Sequence, residues 1–186
     1  GVAQRGDVVV GDETRGFPPV RDGESHYFLA INRGKKSIVV DLKAPEGLAL
    51  VKDLAAKCDI VVENYRPGVM ARLGLGYDTL SAINPGLIYC SISGYGQTGP
   101  LKDNPSFDIV LQAMSGAFSL NGEPGRLPTK LGLPMGDLVG GINGPIAILG
   151  ALFERTRTGK GRFIDISLVD GLQGMRQFIA GKQAGS

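Results

Sequence analysis

The fold is decided by residues 36–63, which read KSIVVDLKAPEGLALVKDLAAKCDIVVE. The β-branched run in residues 36–42 is typical of a buried strand. Pro45 suits the first position of a helix, and the apolar residues after it recur at helical spacing. Residues 59–63 predict a second buried strand. A strand, a helix and a strand in this order predict a right-handed crossover between parallel strands.

The same alternation continues to the end of the chain. The remaining predicted elements are short helices at 67–73 and 78–83, a strand at 87–93, a helix capped by Ser106, a loop at 121–134, a helix at 136–157, a strand at 163–168 and a helix near Phe178. This order predicts an α/β fold of Rossmann-like type, with a parallel sheet covered on both faces. Before Lys36 only Asp7–Val10 suggests a strand, whereas such domains usually open with a strand and a helix. We therefore expect residues 1–186 to form one partial domain, incomplete at both ends.

Composition argues against several classes of protein. The chain has 186 residues, of which 42% are hydrophobic, and a formal net charge of +2. These values argue against disorder and against a nucleic-acid partner. The longest apolar stretch, residues 145–153, is too short to span a membrane, and neither a signal peptide nor a metal-ligand spacing is visible. Cys58 and Cys90 lie in apolar runs, and we expect both to be buried free thiols in a cytoplasmic protein.

Two segments resemble nucleotide-binding motifs. Residues 94–99 match G-x-G-x-x-G, but two prolines follow within six residues and prevent the helix that a dinucleotide site requires, so a loop is expected. Residues 63–68 (ENYRPG) lie where a predicted strand ends, at the edge where α/β sheets bind ligands. Tyr65 offers a face for an adenine ring, and Arg66 and Arg72 suit phosphates. A solvated turn with surface arginines explains the same residues equally well.

Asp137 has two interpretations. It lies at the start of a helix, where aspartate is a common cap and the helix dipole stabilises its charge. Four glycines in the first turns of that helix cost about 1 kcal/mol each relative to alanine. This cost indicates close packing or a ligand against the helix start. A carboxylate in such a place is also suited to attack an activated acyl group.

Several motifs occur together in order along the chain. They are GDETR (11–15), NRGKKSI (32–38), DLKAPEG (41–47), ENYRPG (63–68), LGLGY (73–77), SISGYGQTGP (91–100) and RTGKG (157–161) with Ile164-Asp165. This ordered set resembles the family III CoA-transferases, a family related to the α-methylacyl-CoA racemases. The resemblance runs from about residue 11 to residue 173.

The resemblance implies a Rossmann-like large domain in an interlocked homodimer. It implies that a single aspartate, here Asp137, becomes acylated, with acyl-CoA and a small carboxylic acid as substrates and no permanently bound cofactor or metal. Phe17 lies where some members have an active-site tryptophan. The CoA contacts that the resemblance implies fall on Val40, Lys43, Asn64, Tyr65, Arg66, Arg72 and Lys102.

The expected reaction moves CoA between an acyl-CoA and a carboxylate. An aspartate with an ordinary pKa of about 3.9 is ionised at neutral pH and needs no base, which suits a chain with one histidine, His26. Glycines near Asp137 are expected to supply amide donors for the oxyanion. Racemases of the family pair a histidine with the aspartate, but Phe107 holds that place here. Racemisation and a non-catalytic CoA-binding fragment stay as alternatives.

Overall fold

The computed structural model describes residues 4–5, 8–9, 11–123 and 125–183. The chain divides into two compact units, residues 1–50 and 51–186.

The first unit is built from short elements. Its strands and first helix are β1 (Gln4–Arg5), β2 (Val8–Val9), β3 (Val20–Arg21), β4 (Glu24–Ser25) and α1 (His26–Ile31). The two pairs of strands are antiparallel. β2 falls within the strand suggested at Asp7–Val10, whose two end residues lie outside the described residues. Asp22 and Gly23 join β3 to β4 with positive φ angles of 52° and 80°, as a tight hairpin turn requires.

The strand predicted at residues 36–42 is wrong. Within the described residues this segment has no regular secondary structure, and Ile38 and Val39 are about half exposed, whereas Val40 is buried. The β-branched run favours an extended chain, but a strand also requires a neighbour to pair with, and the described part of this unit supplies none here. The helix after it is confirmed as α2 (Pro45–Lys57), with Glu46 in its first turn.

The second unit contains the predicted parallel sheet. Its strands are β5 (Ile60–Glu63), β6 (Ile88–Ser93) and β7 (Arg162–Ser167), in that order across the sheet. Both pairings are parallel. The α/β class and the parallel sheet are therefore confirmed.

The helices of this unit agree with the predicted positions. They are α3 (Val69–Arg72), α4 (Tyr77–Ile83), α5 (Asp108–Met114), α6 (Met135–Thr158) and α7 (Leu168–Gln183), with a short 3₁₀ helix at Ala117–Leu120. The cap predicted for α5 is wrong, because Phe107 occupies the cap position and makes no side-chain hydrogen bond there. Ser106 lies one residue too early, and its side chain fills the space beside Gly94.

The two faces of the sheet are covered differently. On one face, Ile88, Cys90 and Ile164 form a core with Ala151 of α6. On the other face, Tyr89 and Phe163 contact the ring of Tyr77 from the start of α4. Helical residues thus cover both faces, as predicted.

The two cysteines differ in exposure. Both are free, but only Cys90 is buried, so the prediction of a buried Cys58 is wrong. Cys58 lies in the turn between α2 and β5, outside the apolar strand that follows it in the sequence.

By length and composition alone, α6 is apolar enough to cross a membrane. Core helices of soluble domains share this property, and α6 packs on β6, β7, α5 and α7. The absence of a membrane partner therefore stays a prediction.

Candidate active site

Asp137 lies in the first turn of α6, and it does not cap that helix. Pro134 precedes the helix and has no side-chain oxygen to accept from the first amides. The carboxylate of Asp108, the first residue of α5, takes that role. Its Oδ1 accepts from the Gly136 N–H at 2.7 Å and from the Asp137 N–H at 3.3 Å. Of the two interpretations of Asp137, the cap is therefore excluded by geometry.

Asp137 as a residue is exposed, although its carboxylate is partly buried. Among the described residues, none donates a hydrogen bond to it. Partial burial, and secondarily the negative charge of Asp108, raise the pKa of Asp137 above its ordinary value of 3.8. Both effects disfavour the ionised form of Asp137. Because no described residue donates to its carboxylate oxygens, their lone pairs stay available to a substrate.

A buried glutamine supports this arrangement. Gln112, one turn after Asp108 on α5, is 2% exposed. Its Nε2 donates to Asp108 Oδ2 and, at 3.0 Å, to the carbonyl of Leu133, and its Oε1 accepts from the Leu131 N–H at 3.2 Å. One side chain therefore fixes both the capping carboxylate and the loop that leads into α6.

The glycines of α6 explain how closely this helix packs. Gly136, Gly140 and Gly144 recur every four residues, all are buried, and they face their neighbours. A Cβ on Gly136 would lie 3.0 Å from Asp108 Oδ1, and one on Gly140 would overlap Leu168 of α7. The expected close packing is confirmed for this face.

The suggestion that glycine amides near Asp137 serve an oxyanion does not hold for Gly136, because Asp108 occupies its N–H.

The CoA-binding residues predicted in the second unit lie in the turn and helix after β5 and in the loop after β6. Asn64, Tyr65 and Arg66 directly follow β5, at the carboxyl edge of the sheet as expected. Asn64 donates to the Ile92 carbonyl at 2.6 Å, which ties this edge to β6. Lys102 lies exposed in the loop after β6, which begins at the same edge. Asn64 and Lys102 thus follow neighbouring strands.

Arg66 and Arg72 present exposed side chains near the same turn. Arg66 lines a cavity of about 340 Å³ together with Tyr77 and Ser91. Arg72 in α3 has its guanidinium near Gly68, whose φ of +78° suits glycine. Tyr65 is 37% exposed, which leaves its ring available for stacking.

Val40 and Lys43 belong to the first unit. Val40 is buried and contacts Gly47 at the start of α2, so its side chain serves the core. Lys43 is exposed, and its N–H binds Asp41 Oδ1 at 2.8 Å. In the same unit the ring of Phe17 contacts Tyr27, with ring centres 5.6 Å apart. The CoA-binding roles of all seven residues stay predictions.

Sequence reasoning missed the polar row that crosses the sheet. Glu63, Ser91 and Asp165 stand side by side on β5, β6 and β7. Ser91 donates to Glu63, and the backbone N–H of Gln97 binds Asp165 Oδ2 at 2.9 Å. The Gln97 side chain donates to Ser91 Oγ at 2.8 Å. Residues 94–99 form neither helix nor strand, so the loop predicted there is confirmed, and its Gln97 covers this row. The polar row could have been predicted only from the pairing register of the three strands, and the sequence does not give that register.

A cleft of about 730 Å³ opens beside α6, and Val139, Asn143, Asp165 and Asp170 are among its lining residues. Asp137 is not one of them. Within the described residues, no group of three or more His, Cys, Asp or Glu side chains is placed to hold a metal ion.

The model of CoA-transferase family III matches residues 7–186. The chain belongs to this family. It is 48% identical over 160 residues to the succinyl-CoA:glutarate CoA-transferase of Mus musculus, covering 86% of this chain and 37% of that protein. It is also 48% identical over 162 residues to the acetyl-CoA:oxalate CoA-transferase of Acetobacter aceti, covering 87% of this chain and 42% of that protein.

Among solved structures, a CAIB/BAIF family protein from Brucella suis superposes on this family III chain with a TM-score of 0.89 and 43% identity. The match covers 95% of this chain and 48% of that one. The chain thus spans less than half the length of these three relatives.

Proposed function

We propose that this chain carries the nucleophile of an acyl-CoA:carboxylate CoA-transferase, and that Asp137 is that nucleophile. The observation that carries the proposal is an exposed aspartate at a helix start whose first amides are already bound by Asp108. Family membership and relatives named as CoA-transferases support the reaction class.

The proposed reaction needs no external acid or base. An oxygen of Asp137 attacks the thioester carbonyl carbon, the C–S bond breaks, and its electron pair leaves on the CoA thiolate. The thiolate then attacks the Asp137 carbonyl carbon of the anhydride, which releases the first acid as a carboxylate and forms an aspartyl-CoA thioester. The acceptor carboxylate reverses these two steps. Partial burial raises the pKa of Asp137 from 3.8, and the ionised carboxylate is the form that attacks.

Short dicarboxylic acids are the first substrates to test. Glutarate and oxalate appear in the names of the relatives, with succinyl-CoA and acetyl-CoA as donors. Exposed Arg66, Arg72 and Lys102 supply the positive charge that CoA phosphates require. CoA enters and leaves as a substrate, and no resident cofactor is proposed.

The experiment is covalent trapping of the acylated aspartate in the full-length protein. After incubation with succinyl-CoA or acetyl-CoA, peptide mass spectrometry should find the adduct only on the peptide that contains Asp137. Asp137→Asn should abolish both adduct and turnover, whereas Asp53→Asn, an exposed aspartate of α2, should leave both unchanged. Normal turnover in Asp137→Asn would refute the proposal.

Racemisation would need a second group to exchange the α-proton of the acyl-CoA. Phe107 cannot do so, and the adjacent Asp108 is held by two amides and by Gln112. Incorporation of deuterium at the α-carbon, without CoA transfer, would favour this alternative. A chain that binds CoA and yields neither adduct nor exchange would be the non-catalytic alternative.

A homodimer, interlocked as the resemblance implies, is part of the proposal. Support comes from an apolar stripe along α6, formed by Leu138, Ile142, Ile146, Leu149 and Phe153, of which each residue is 44–69% exposed. Exposed apolar surface of this kind marks contact with another chain or segment. Sedimentation should find a dimer at micromolar concentration, and a monomer would refute this part. The cytoplasmic location also stays a prediction.

A further inference from the structure

We propose that Asp108 is the positioning residue for Asp137: it occupies the first amides of α6 and so leaves the Asp137 carboxylate free to face an acyl-CoA. This inference rests on the proposed function of Asp137. It assigns Asp108 a role through another residue and no contact with the substrate.

The first step of the argument is the competition for amides. The first N–H groups of a helix have no partner within the helix and bind a nearby carboxylate when one is available. Pro134 offers none, so the carboxylate of Asp137 in the first turn is the local candidate. Asp108 reaches in from α5 and accepts from Gly136 and Asp137 instead.

The second step is that Asp108 is itself held from both sides. Its Oδ1 accepts the two amides, and its Oδ2 accepts from Gln112 Nε2. Gln112 is buried and also binds the loop at Leu131 and Leu133. A carboxylate held at both oxygens keeps one orientation, so Asp108 keeps the Asp137 carboxylate away from these amides.

The third step is electrostatic. Asp108 is the charged group on α5 that faces Asp137, and its charge contributes to the raised pKa of Asp137. Among the described side chains of α7, the apolar Leu172 lies against Gly136 of this turn, and residues 131–134 carry no titratable group. Lys130, just before them, is exposed. Removing the charge of Asp108 should therefore lower the pKa of Asp137.

The test compares three variants by NMR on this chain. Asp108→Asn keeps an oxygen acceptor without the charge, Asp108→Ala removes both, and Gln112→Ala keeps the charge. Carbon-detected titration should show a lower pKa for Asp137 in both Asp108 variants and little change in Gln112→Ala. The Gly136 amide proton should stay downfield in Asp108→Asn, because that variant keeps an oxygen acceptor at this position. An Asp137 pKa equal to that of the wild type in Asp108→Asn would overturn the inference.

Turnover by the full-length protein tests the positioning role of Asp108 independently. Asp108→Ala should lower kcat about a hundredfold with little change in KM, because the nucleophile loses its placement. Asp108→Asn should recover most of that loss. Equal losses in both variants, or a change in KM alone, would overturn the positioning role. The NMR titration uses no acyl-CoA, so it can succeed where covalent trapping on Asp137 fails, and the two proposals fail separately.

Discussion

Gly140 and Gly141 are adjacent in α6 and should respond differently to alanine. Either substitution removes the unfavourable helix propensity of glycine, a gain of about 1 kcal/mol. A Cβ on Gly140 would overlap Leu168 Cδ2 and lie 3.7 Å from Ile92 Cγ2, whereas one on Gly141 meets nothing within 4 Å. Because the propensity term is shared, the difference between the two variants isolates the steric cost.

That steric cost can be bounded from the surroundings of Leu168. Leu168 is 8% exposed and packs with Leu111 and Leu172, so its methyl group has little room to move away. Extra atoms in such a core cost about 1–3 kcal/mol. Gly141→Ala should therefore be more stable than the wild type by about 1 kcal/mol, and Gly140→Ala less stable than Gly141→Ala by about 1–3 kcal/mol.

The assay is urea unfolding followed by circular dichroism, with the slope against urea checked for equality between variants. A further check is the melting temperature, which should change by about 2–4 °C per kcal/mol in a chain of this size. If Gly140→Ala proves as stable as Gly141→Ala, α6 does not pack as closely on α7 as described.

Three further measurements test other parts of the structure. Gln112→Ala should destabilise the chain by about 3 kcal/mol in urea unfolding, because a buried side chain with three partners is lost; a cost below about 1 kcal/mol would contradict this. A thiol reagent should label Cys58 in the folded chain and Cys90 only after unfolding; equal labelling rates would be the contrary result. Because the pKa of Asp137 is raised, the native chain binds a proton at this residue more readily than the unfolded chain does. The stability that this proton contributes is complete below pH 3.8 and is lost as the pH rises through the raised pKa. Asp137→Asn should therefore gain stability relative to the wild type from pH 3 to pH 7, and a constant difference would refute the sign.

The sequence predicted the second unit well because its signals are local. β5 and β6 are apolar runs between clear helix breaks, and Gly159 ends α6 with a φ of 69° as expected. The strand expected at residues 36–42 failed because pairing depends on a neighbour that periodicity cannot supply. Cys58 failed for a related reason, since its apolar neighbours belong to the next element.

At the candidate site, the sequence singles out Asp137 but does not predict what surrounds it. A helix that begins after Pro134 needs an acceptor from elsewhere, and this was the available signal. It could not point to Asp108, which is 28 residues from Gly136 in sequence. The Asp108–Gln112 spacing of one helical turn also suits a pair of polar residues on a solvent-facing helix.

The faces of α6 separate three kinds of substitution. Its glycine face, with Gly140, sets how closely the helix approaches α7, and its first turn presents Asp137. Its outer stripe, from Leu138 to Phe153, is exposed in this chain. Substitutions on the glycine face should change stability, substitutions of Asp137 should change the proposed covalent step, and charged substitutions in the exposed stripe should change the proposed association. Because Asp137 and Gly140 are three residues apart on one helix, a shift of that helix that relieves a clash at Gly140 also moves the proposed nucleophile, so Gly140→Ala should lower kcat where Gly141→Ala does not.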